Sequence, residues 1–123
     1  MKVIHLPTLA ERAVAARPDK PATAIAHDSP DSRSVVFRIA PGQEVPEHTS
    51  TSSVTLVVLD GMGVVSGADG ERIVRRGDLV TYEPNEPHAM RATSGPLVLL
   101  AVITPRPGAR MAEPFELAIA ARA

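Results

Sequence analysis

The sequence predicts an all-β domain built from short strands. Runs rich in Val, Ile, Leu and Thr recur after Pro18, and turn signals containing Gly, Pro, Asp and Asn separate them. Many short strands at regular spacing are typical of β-sandwiches and β-barrels. The clearest hairpin signal is Asp69-Gly70. The predicted strands cover residues 22–27, 34–40, 44–49, 54–60, 62–66, 71–76, 79–83, 88–93 and 97–104.

One helix is predicted before the first strand, over residues 8–17. Thr8 is expected to be its N-cap, and Glu11 lies three residues later, which completes a capping box. Pro18 disfavours helical backbone at Arg17, so we expect the helix to end there. A helix this short is marginal alone and must pack on another element.

Two predicted strands, 54–59 and 97–103, are apolar on both faces. A half-buried antiparallel strand alternates apolar and polar residues, so the outward face of these two strands must also be covered. The cover comes either from the helix and the tail or from a second subunit. The tail, residues 112–123, is expected to add an edge strand. We therefore expect a homodimer.

Length and composition favour a single domain over residues 1–123, with the barrel core at about 34–104. The net charge of −1 gives no electrostatic footprint for nucleic acid. The aromatic residues are Phe37, Tyr82 and Phe115, too few for base-stacking platforms. The absence of cysteine excludes disulfides, thiolate ligands and a cysteine nucleophile.

The N-terminal stretch has no long apolar core, and it carries Glu11, Arg12 and Arg17. It does not have the pattern of a signal peptide. No stretch reaches the roughly 18 apolar residues that span a bilayer. We therefore expect a cytoplasmic protein without a membrane partner.

Two stretches carry a spaced pattern of glycine and histidine. In the first, Gly42 precedes His48 by six positions, Ser50 and Val54 follow, and Gly61 ends the stretch. This spacing resembles the first motif of the cupin superfamily, in which Gly, His-x-His, Glu and Gly stand at these intervals. Ser50 replaces the second His of the motif, and Val54 replaces its Glu.

The second stretch runs from Gly77 through Glu83-Pro84-Asn85 to His88 and Ala92. It resembles the second cupin motif, in which Gly, Pro-x-Gly, His and Asn occur. Gly77 and His88 match that motif, whereas its Pro, its Gly and its Asn are replaced. The resemblance covers about residues 34–104 and implies a cupin double-stranded β-helix, a jelly-roll barrel, behind the short N-terminal helix.

The resemblance implies that His48 and His88 face each other inside the barrel. Because residues two apart on a strand share a face, Ser50 is expected to point inward with His48, with Glu44 and Pro46 nearer the mouth. Metal-binding cupins use three His and one Glu, and here two His remain. The implied cofactor is therefore at most a weakly held divalent metal (Zn, Fe, Mn or Ni) on His48 and His88, with water, a substrate or Glu44 completing its shell.

The remaining candidates concern a ligand pocket. Met90 and Val54 are either pocket wall or packed core. Tyr82 lies close to the loop before His88 and is able to hydrogen-bond a ligand at the mouth, although an ordinary surface role is the default. Glu83 is able to pair with Arg91 across the loop, although for Glu83 too an ordinary surface role is the default. The predicted pocket comprises His48, Ser50, Val54, Leu56, Tyr82, His88 and Met90.

Three functions stay open at this point. The first is a small-molecule-binding cupin without a tight catalytic metal, which the replacements at Ser50 and Val54 favour. The second is a metal-dependent enzyme of the dioxygenase, isomerase or decarboxylase type, with an incomplete site at His48 and His88. The third is a dimeric scaffold without a ligand. The motifs assign no catalytic residue.

Overall fold

The coordinates are a computed structural model and describe residues 1–107. In that range the chain forms a short helix and nine strands, which make two antiparallel sheets and confirm the predicted all-β fold. The elements are α1 (Leu6–Arg12), β1 (Ala22–Asp28), β2 (Arg33–Ile39), β3 (Glu44–His48), β4 (Ser53–Asp60), β5 (Met62–Gly67), β6 (Gly70–Arg75), β7 (Leu79–Tyr82), β8 (His88–Ala92) and β9 (Leu97–Thr104).

The two sheets face each other as a jelly roll. One sheet has the strand order β1-β2-β9-β4-β7, and the other has the order β3-β8-β5-β6. Strands that are distant in sequence therefore become neighbours, as with β4 and β9. The predicted hairpin is present between β5 and β6, where Gly67 lies opposite Gly70.

The main core lies between the sheets and is almost entirely aliphatic. β4 and β9 alternate between fully buried and partly buried residues, which shows that each has one face toward the core. Phe37 and Tyr82 are the aromatic members of this core. Its other members are Val35, Ile39, Val45, Val54, Leu56, Val58, Val65, Val74, Met90, Ala92, Leu97, Leu99, Ala101 and Ile103.

The helix differs from its prediction at both ends. It runs over Leu6–Arg12 with His5 as its N-cap, so the predicted Thr8 N-cap and its capping box are wrong. The helix ends early because Val14 pairs with Thr23 at the edge of β1, through N–H···O bonds of 3.1 and 3.0 Å. This pairing satisfies main-chain groups that a continued helix would need, and it overrides the helix propensity of the alanines.

Helix α1 covers part of the outer face of the five-stranded sheet. Its Ala10 is buried against Val36 and Ala26, and Val98 and Leu100 of β9 pack against this second cluster. The helix, which was one of the elements predicted to cover the outer face of β9, thus covers part of it. The predicted edge strand in residues 112–123 lies outside the described residues, and the homodimer stays a prediction. None of the described helical residues forms a segment long and apolar enough to cross a membrane.

Gly61 provides a test of how tightly the turns between sheets are packed. Gly61 and Gly42 both have positive φ, at 81° and 84°. A Cβ at Gly61 would collide with the carbonyl oxygen of Pro96, whereas a Cβ at Gly42 would meet nothing within 4 Å. An L-residue would therefore be strained at either position, and only at Gly61 would its Cβ also collide with the surrounding backbone.

We expect Gly42→Ala to lower the free energy of unfolding by about 1–2 kcal/mol, because an L-residue is strained at positive φ. Gly61→Ala should cost a further ~1–3 kcal/mol, because the backbone must shift to relieve the collision. Urea denaturation of both variants measures the difference. Equal losses in the two variants would show that the β4–β5 turn is free to relax.

Candidate functional site

The pairing of β3 with β8 brings His48 directly opposite His88. The two imidazole rings have centroids 4.3 Å apart and are tilted by 57°. His88 is buried within the barrel, and His48 is partly buried. The two candidate metal ligands therefore do meet in the fold.

A bulge in β3 decides which side chains accompany His48. Val45 lies opposite Met90 and His48 lies opposite His88, so three steps along β3 match two steps along β8. Val45 is consequently buried in the core, while Glu44 and Pro46 are exposed. The expectation that Glu44 and Pro46 share the inward face of His48 is wrong, and Glu44 does not complete a metal shell.

Both histidines are oriented by main-chain carbonyl groups. Nδ1 of His48 lies 2.8 Å from the carbonyl oxygen of Pro46, and Nδ1 of His88 lies 2.8 Å from that of Glu86. A carbonyl oxygen only accepts, so each Nδ1 carries a hydrogen, and in the neutral form of either ring the lone pair is on Nε2. The Nε2 atoms of both rings are buried.

Burial lowers the pKa of His88 below its ordinary value, because the charged imidazolium would lose its hydration. The hydrogen bond to the Glu86 carbonyl and the charge of Glu86 act in the opposite direction and are weaker. His88 is therefore a neutral hydrogen-bond acceptor at physiological pH. This suits it to accept from a ligand hydroxyl, to take up a proton or to bind a cation.

Tyr82 is the third member of the cluster and contacts His88. It ends β7, it is only 5% exposed, and its ring stacks on His88 with centroids 4.5 Å apart. Burial is the main cause that raises the pKa of its hydroxyl to about 12, with Glu86 and Asp69 adding to the effect. The default assignment of Tyr82 to the surface is wrong, because β7 pairs with β4 in the register that puts Tyr82 beside Val54 on the inner face.

Two polar atoms of this cluster have no hydrogen-bond partner within residues 1–107. They are Nε2 of His88 and the hydroxyl oxygen of Tyr82, and both are buried. Buried polar groups in native proteins nearly always have a partner, so each unpartnered one calls for an explanation.

The other predicted pocket residues divide into two groups. Val54, Leu56 and Met90 are fully buried in the aliphatic core beside the polar cluster. Ser50 lies in the loop after β3, where its Oγ accepts a hydrogen bond from the Ser52 N–H at 3.1 Å. Its carbonyl accepts one from the N–H of Asn85 at 2.6 Å. Ser50 thus links the two motif loops.

The loop before His88 is fixed by its own polar groups. Asn85 has a φ of 66°, the left-handed conformation that the Gly of the motif would provide. The Glu86 carboxylate accepts hydrogen bonds from the N–H groups of Ala68 and Glu83, at 2.9 and 3.0 Å. These two bonds lower the pKa of Glu86.

The predicted ion pair between Glu83 and Arg91 is wrong. Arg91 instead bonds Glu71 at 3.0 Å. On β8, Arg91 lies opposite Val64 of the neighbouring β5. Val64 in turn lies opposite Ile73 of β6, and Glu71 is two residues before Ile73 on that strand. The partner of Arg91 is therefore set by the sheet order on the outer face, which places β6 beside β5.

The sequence reading missed one buried charged residue, Arg33. It begins β2, is 2% exposed and stands in the same alternation as Val35, Phe37 and Ile39, whose side chains form the core. That alternation in the sequence was the available signal, because a cation in the phase of core residues is seldom buried without a reason.

Arg33 shares a carboxylate with a second arginine. Asp28 accepts from Nε and Nη2 of Arg33 at 3.3 and 3.1 Å, and from Nε and Nη2 of Arg106 at 2.7 and 3.1 Å. The hydrogen bonds from Arg106, followed by those from Arg33, lower the pKa of Asp28 to about 2. The third guanidinium nitrogen of Arg33, Nη1, is buried and has no partner within the described residues.

The donors do not fit a tight metal centre. A catalytic zinc ion usually takes three protein ligands and keeps one open position. Residues 1–107 contain no group of three or more His, Asp or Glu side chains placed to hold a metal ion. His48 and His88 alone offer two imidazole nitrogens, and Val54 stands where the carboxylate ligand of the motif would be.

The chain is similar to proteins of one family. The cupin domain family model matches residues 35–103. The structure is similar to that of TT1209 from Thermus thermophilus, with 26% identity, a TM-score of 0.76, and coverage of 87% of this chain and 100% of that chain. No curated protein matches the chain.

Two further solved structures are also similar. An RmlC-like cupin protein from Desulfovibrio desulfuricans has 28% identity and a TM-score of 0.71, and the match covers 86% of this chain and 98% of that chain. A predicted oxalate decarboxylase from Thermotoga maritima has 21% identity and a TM-score of 0.64, with coverage of 68% and 79%. At that identity the second likeness shows the fold alone.

The family match spans more than half of the chain, and the fold agrees with it. The protein therefore belongs to the cupin domain family. The family includes relatives with different functions, so the function of this chain must be argued from its own site.

The double pairing of Asp28 gives a pH prediction. Its pKa is about 2 in the folded chain against an ordinary 3.8, so its pairing stabilises the fold above about pH 4, and that contribution is lost as the pH falls through 2. We expect Asp28→Asn to lower the free energy of unfolding by about 1–3 kcal/mol at neutral pH, because hydrogen bonds to charged groups are lost. Urea denaturation should show the difference narrowing between pH 4 and pH 2.

Asp19→Asn is the matched control. Asp19 lies 3.7 Å from Arg17, and both side chains are mostly exposed. Its substitution should change stability at neutral pH by less than about 1 kcal/mol. A deficit in Asp28→Asn that stays constant down to pH 2 would contradict the role assigned to the Asp28 charge.

Proposed function

We propose that this cupin binds a small organic molecule inside the barrel, where β3, β7 and β8 bring His48, Tyr82 and His88 together. The observation that carries the proposal is the pair of buried, unpartnered polar atoms, Nε2 of His88 and the hydroxyl of Tyr82, among the described residues. Leaving such an atom unsatisfied costs about 1–3 kcal/mol, and a bound polar molecule removes that cost.

The chemistry of His88, of Tyr82 and of the apolar residues beside them defines what such a ligand must offer. Nε2 of neutral His88 accepts a hydrogen bond, so a ligand hydroxyl fits it. The hydroxyl of Tyr82 stays protonated at physiological pH, because its pKa is raised to about 12, and it donates to a ligand oxygen. Val54, Leu56 and Met90 supply apolar surface beside these groups. A few polar groups set in an apolar wall are typical of small-molecule sites.

A metal-dependent enzyme is the second candidate, and one observation favours it. Ligating histidines usually donate their other ring N–H to a carbonyl or carboxylate, as His48 and His88 do to Pro46 and Glu86. The two imidazoles would hold a divalent ion weakly unless a bound ligand supplied further donors. No reaction step is assigned to such an ion.

The hydroxyl of Tyr82 is the sharpest point at which to test ligand binding. Pentanediol serves as a neutral probe, and its titration is followed by amide chemical shifts of β7 and β8. We expect saturable shifts in the wild type and roughly 3- to 10-fold weaker binding in Tyr82→Phe, which loses one neutral hydrogen bond.

Thr81→Ala is the control for that test. It removes a hydroxyl from the neighbouring, exposed position on the same strand. Pentanediol affinity should be unchanged in Thr81→Ala. Affinity that is equal in the wild type and in Tyr82→Phe would count against the proposed site.

Metal content separates the two candidate functions. We expect less than one divalent ion per chain in protein purified from metal-supplemented cells, because two imidazoles are a weak site. Inductively coupled plasma mass spectrometry of the wild type and of the His48→Ala/His88→Ala double variant measures this. A stoichiometric metal that disappears in the double variant would favour the enzyme, and a protein that holds neither metal nor probe would favour a scaffold.

A further inference from the structure

Four of the described strands form the edges of the two sheets, and one of these edges is unprotected. β1 has a register shift and a bridge to Val14, β3 has a bulge and Pro46, and β6 carries three charged residues, Glu71, Arg72 and Arg75. Irregular register, proline and charge are devices that keep an edge strand from pairing with another segment. β7 has an uncharged sequence without proline and a regular register with β4, so it carries none of these devices.

The main chain of β7 has hydrogen-bonding groups on the side away from β4. The N–H of Val58 on β4 donates to the carbonyl of Asp78 at 2.9 Å, which fixes the phase of the pairing. Bonded and non-bonded pairs alternate along an antiparallel ladder, so Leu79 and Thr81 direct their N–H and C=O groups toward the open edge. Among the described strands, β7 pairs with β4 alone. The open edge therefore offers the groups that an additional strand would bond.

A cleft of about 440 Å³ follows this open edge. It lies between β7 and β6, and all four residues of β7 line it. Leu79 and Ile73, which also line it, are 63% and 68% exposed, and Val80 and the buried Val74 add apolar surface. Because β6 bounds the other side, the cleft suits a single extended apolar segment better than the sheet of a second barrel.

The tail of the chain is long enough to reach this cleft. Residues 108–123 follow the described part of the chain, and Arg106 bonds Asp28 on β1, at the far edge of the sheet. A row of four strand pairings joins Asp28 to Tyr82, a distance of about 19 Å at roughly 4.8 Å per strand. Residues 108–115 span up to about 26 Å when extended, so they reach the Tyr82 end of β7 even from the far edge.

The direction and the sequence of the tail also suit β7. A segment that enters beside Tyr82 and runs toward Leu79 is antiparallel to β7, as neighbouring strands in both sheets are. Residues 115–119 alternate between apolar and small or charged side chains, the pattern of a strand with one apolar face. Pro114 lacks an N–H and is suited to the start of such a strand.

We propose that residues 115–118 form a strand that pairs antiparallel with β7 of the same chain. Glu116 then lies opposite Thr81 and faces solvent, while Phe115 and Leu117 fill the cleft. The added strand extends the five-stranded sheet beyond β7 and bonds the main-chain groups at its open edge. The tail thereby protects the one edge that carries no such device among the described strands.

A pair of introduced cysteines tests this register. The chain has no cysteine, so Thr81→Cys/Glu116→Cys contains only the introduced pair. Opposite residues in the bonded positions of an antiparallel pair have α-carbons about 5.5 Å apart, a separation that a disulfide bridges. We expect most of the full-length variant to form a disulfide within the chain under mild oxidation. Mass spectrometry and non-reducing electrophoresis measure its formation.

Ile25→Cys/Glu116→Cys is the matched control. Ile25 is 54% exposed and lies on β1, the edge strand that Arg106 contacts through Asp28. This pair should form its disulfide roughly tenfold or more slowly than the Thr81 pair, because the proposed strand holds position 116 away from β1.

The outcomes of the cysteine test are distinct. Equal rates for the two pairs would overturn the assignment of the tail to β7, and so would the absence of a disulfide in the Thr81 pair. A disulfide of the Thr81 pair that joins two chains would overturn the assignment to the same chain, because the tail of a second copy would then occupy the edge.

Hydrogen exchange tests the same pairing without a disulfide. In the wild type we expect slow exchange of the Leu79 and Thr81 amides, and Leu117→Asp should speed both by roughly tenfold or more, because it puts a charge in the cleft. Ala121→Asp adds the same charge beyond the proposed strand and should leave both rates unchanged. Exchange of both wild-type amides at the rate of an open strand edge would overturn the proposal.

Discussion

The bulge in β3 is the constraint on which the interior of the barrel depends. Between Val45 and His48 the strand carries one residue more than β8 does over the same interval. If the strand were regular between these two positions, three residues apart, Val45 and His48 would lie on opposite faces. The bulge lets an apolar residue face the core at one end of the strand and an imidazole face His88 at the other.

The site combines neutral polar groups with an aliphatic wall, and the physical chemistry of burial explains its character. Removing His88 from water disfavours its charged form, and the same effect keeps Tyr82 protonated. Both rings therefore act as neutral hydrogen-bonding groups. Arg33 brings a buried cation to this interior, and Asp28 pairs with it at 3.1 Å.

The two motif loops depend on each other more than their sequences indicate. The N–H of Asn85 bonds the carbonyl of Ser50, and Glu86 holds Ala68 of the β5–β6 hairpin. Asn85 adopts the positive φ that a glycine would adopt at that motif position. The replacements in the motifs thus preserve the backbone geometry of the loops while changing the side chains available to a ligand or a metal.

The sequence by itself determined the all-β fold and the strands, because apolar alternation and turn residues are local signals, and the resemblance of its motif spacings to those of cupins predicted that His48 meets His88. Only the tertiary structure decided the length of α1, where an edge pairing of Val14 ended the helix. It also decided the outward direction of Glu44 and the burial of Tyr82 and Arg33. These depend on a bulge and on the register between strands distant in sequence, which local patterns do not encode.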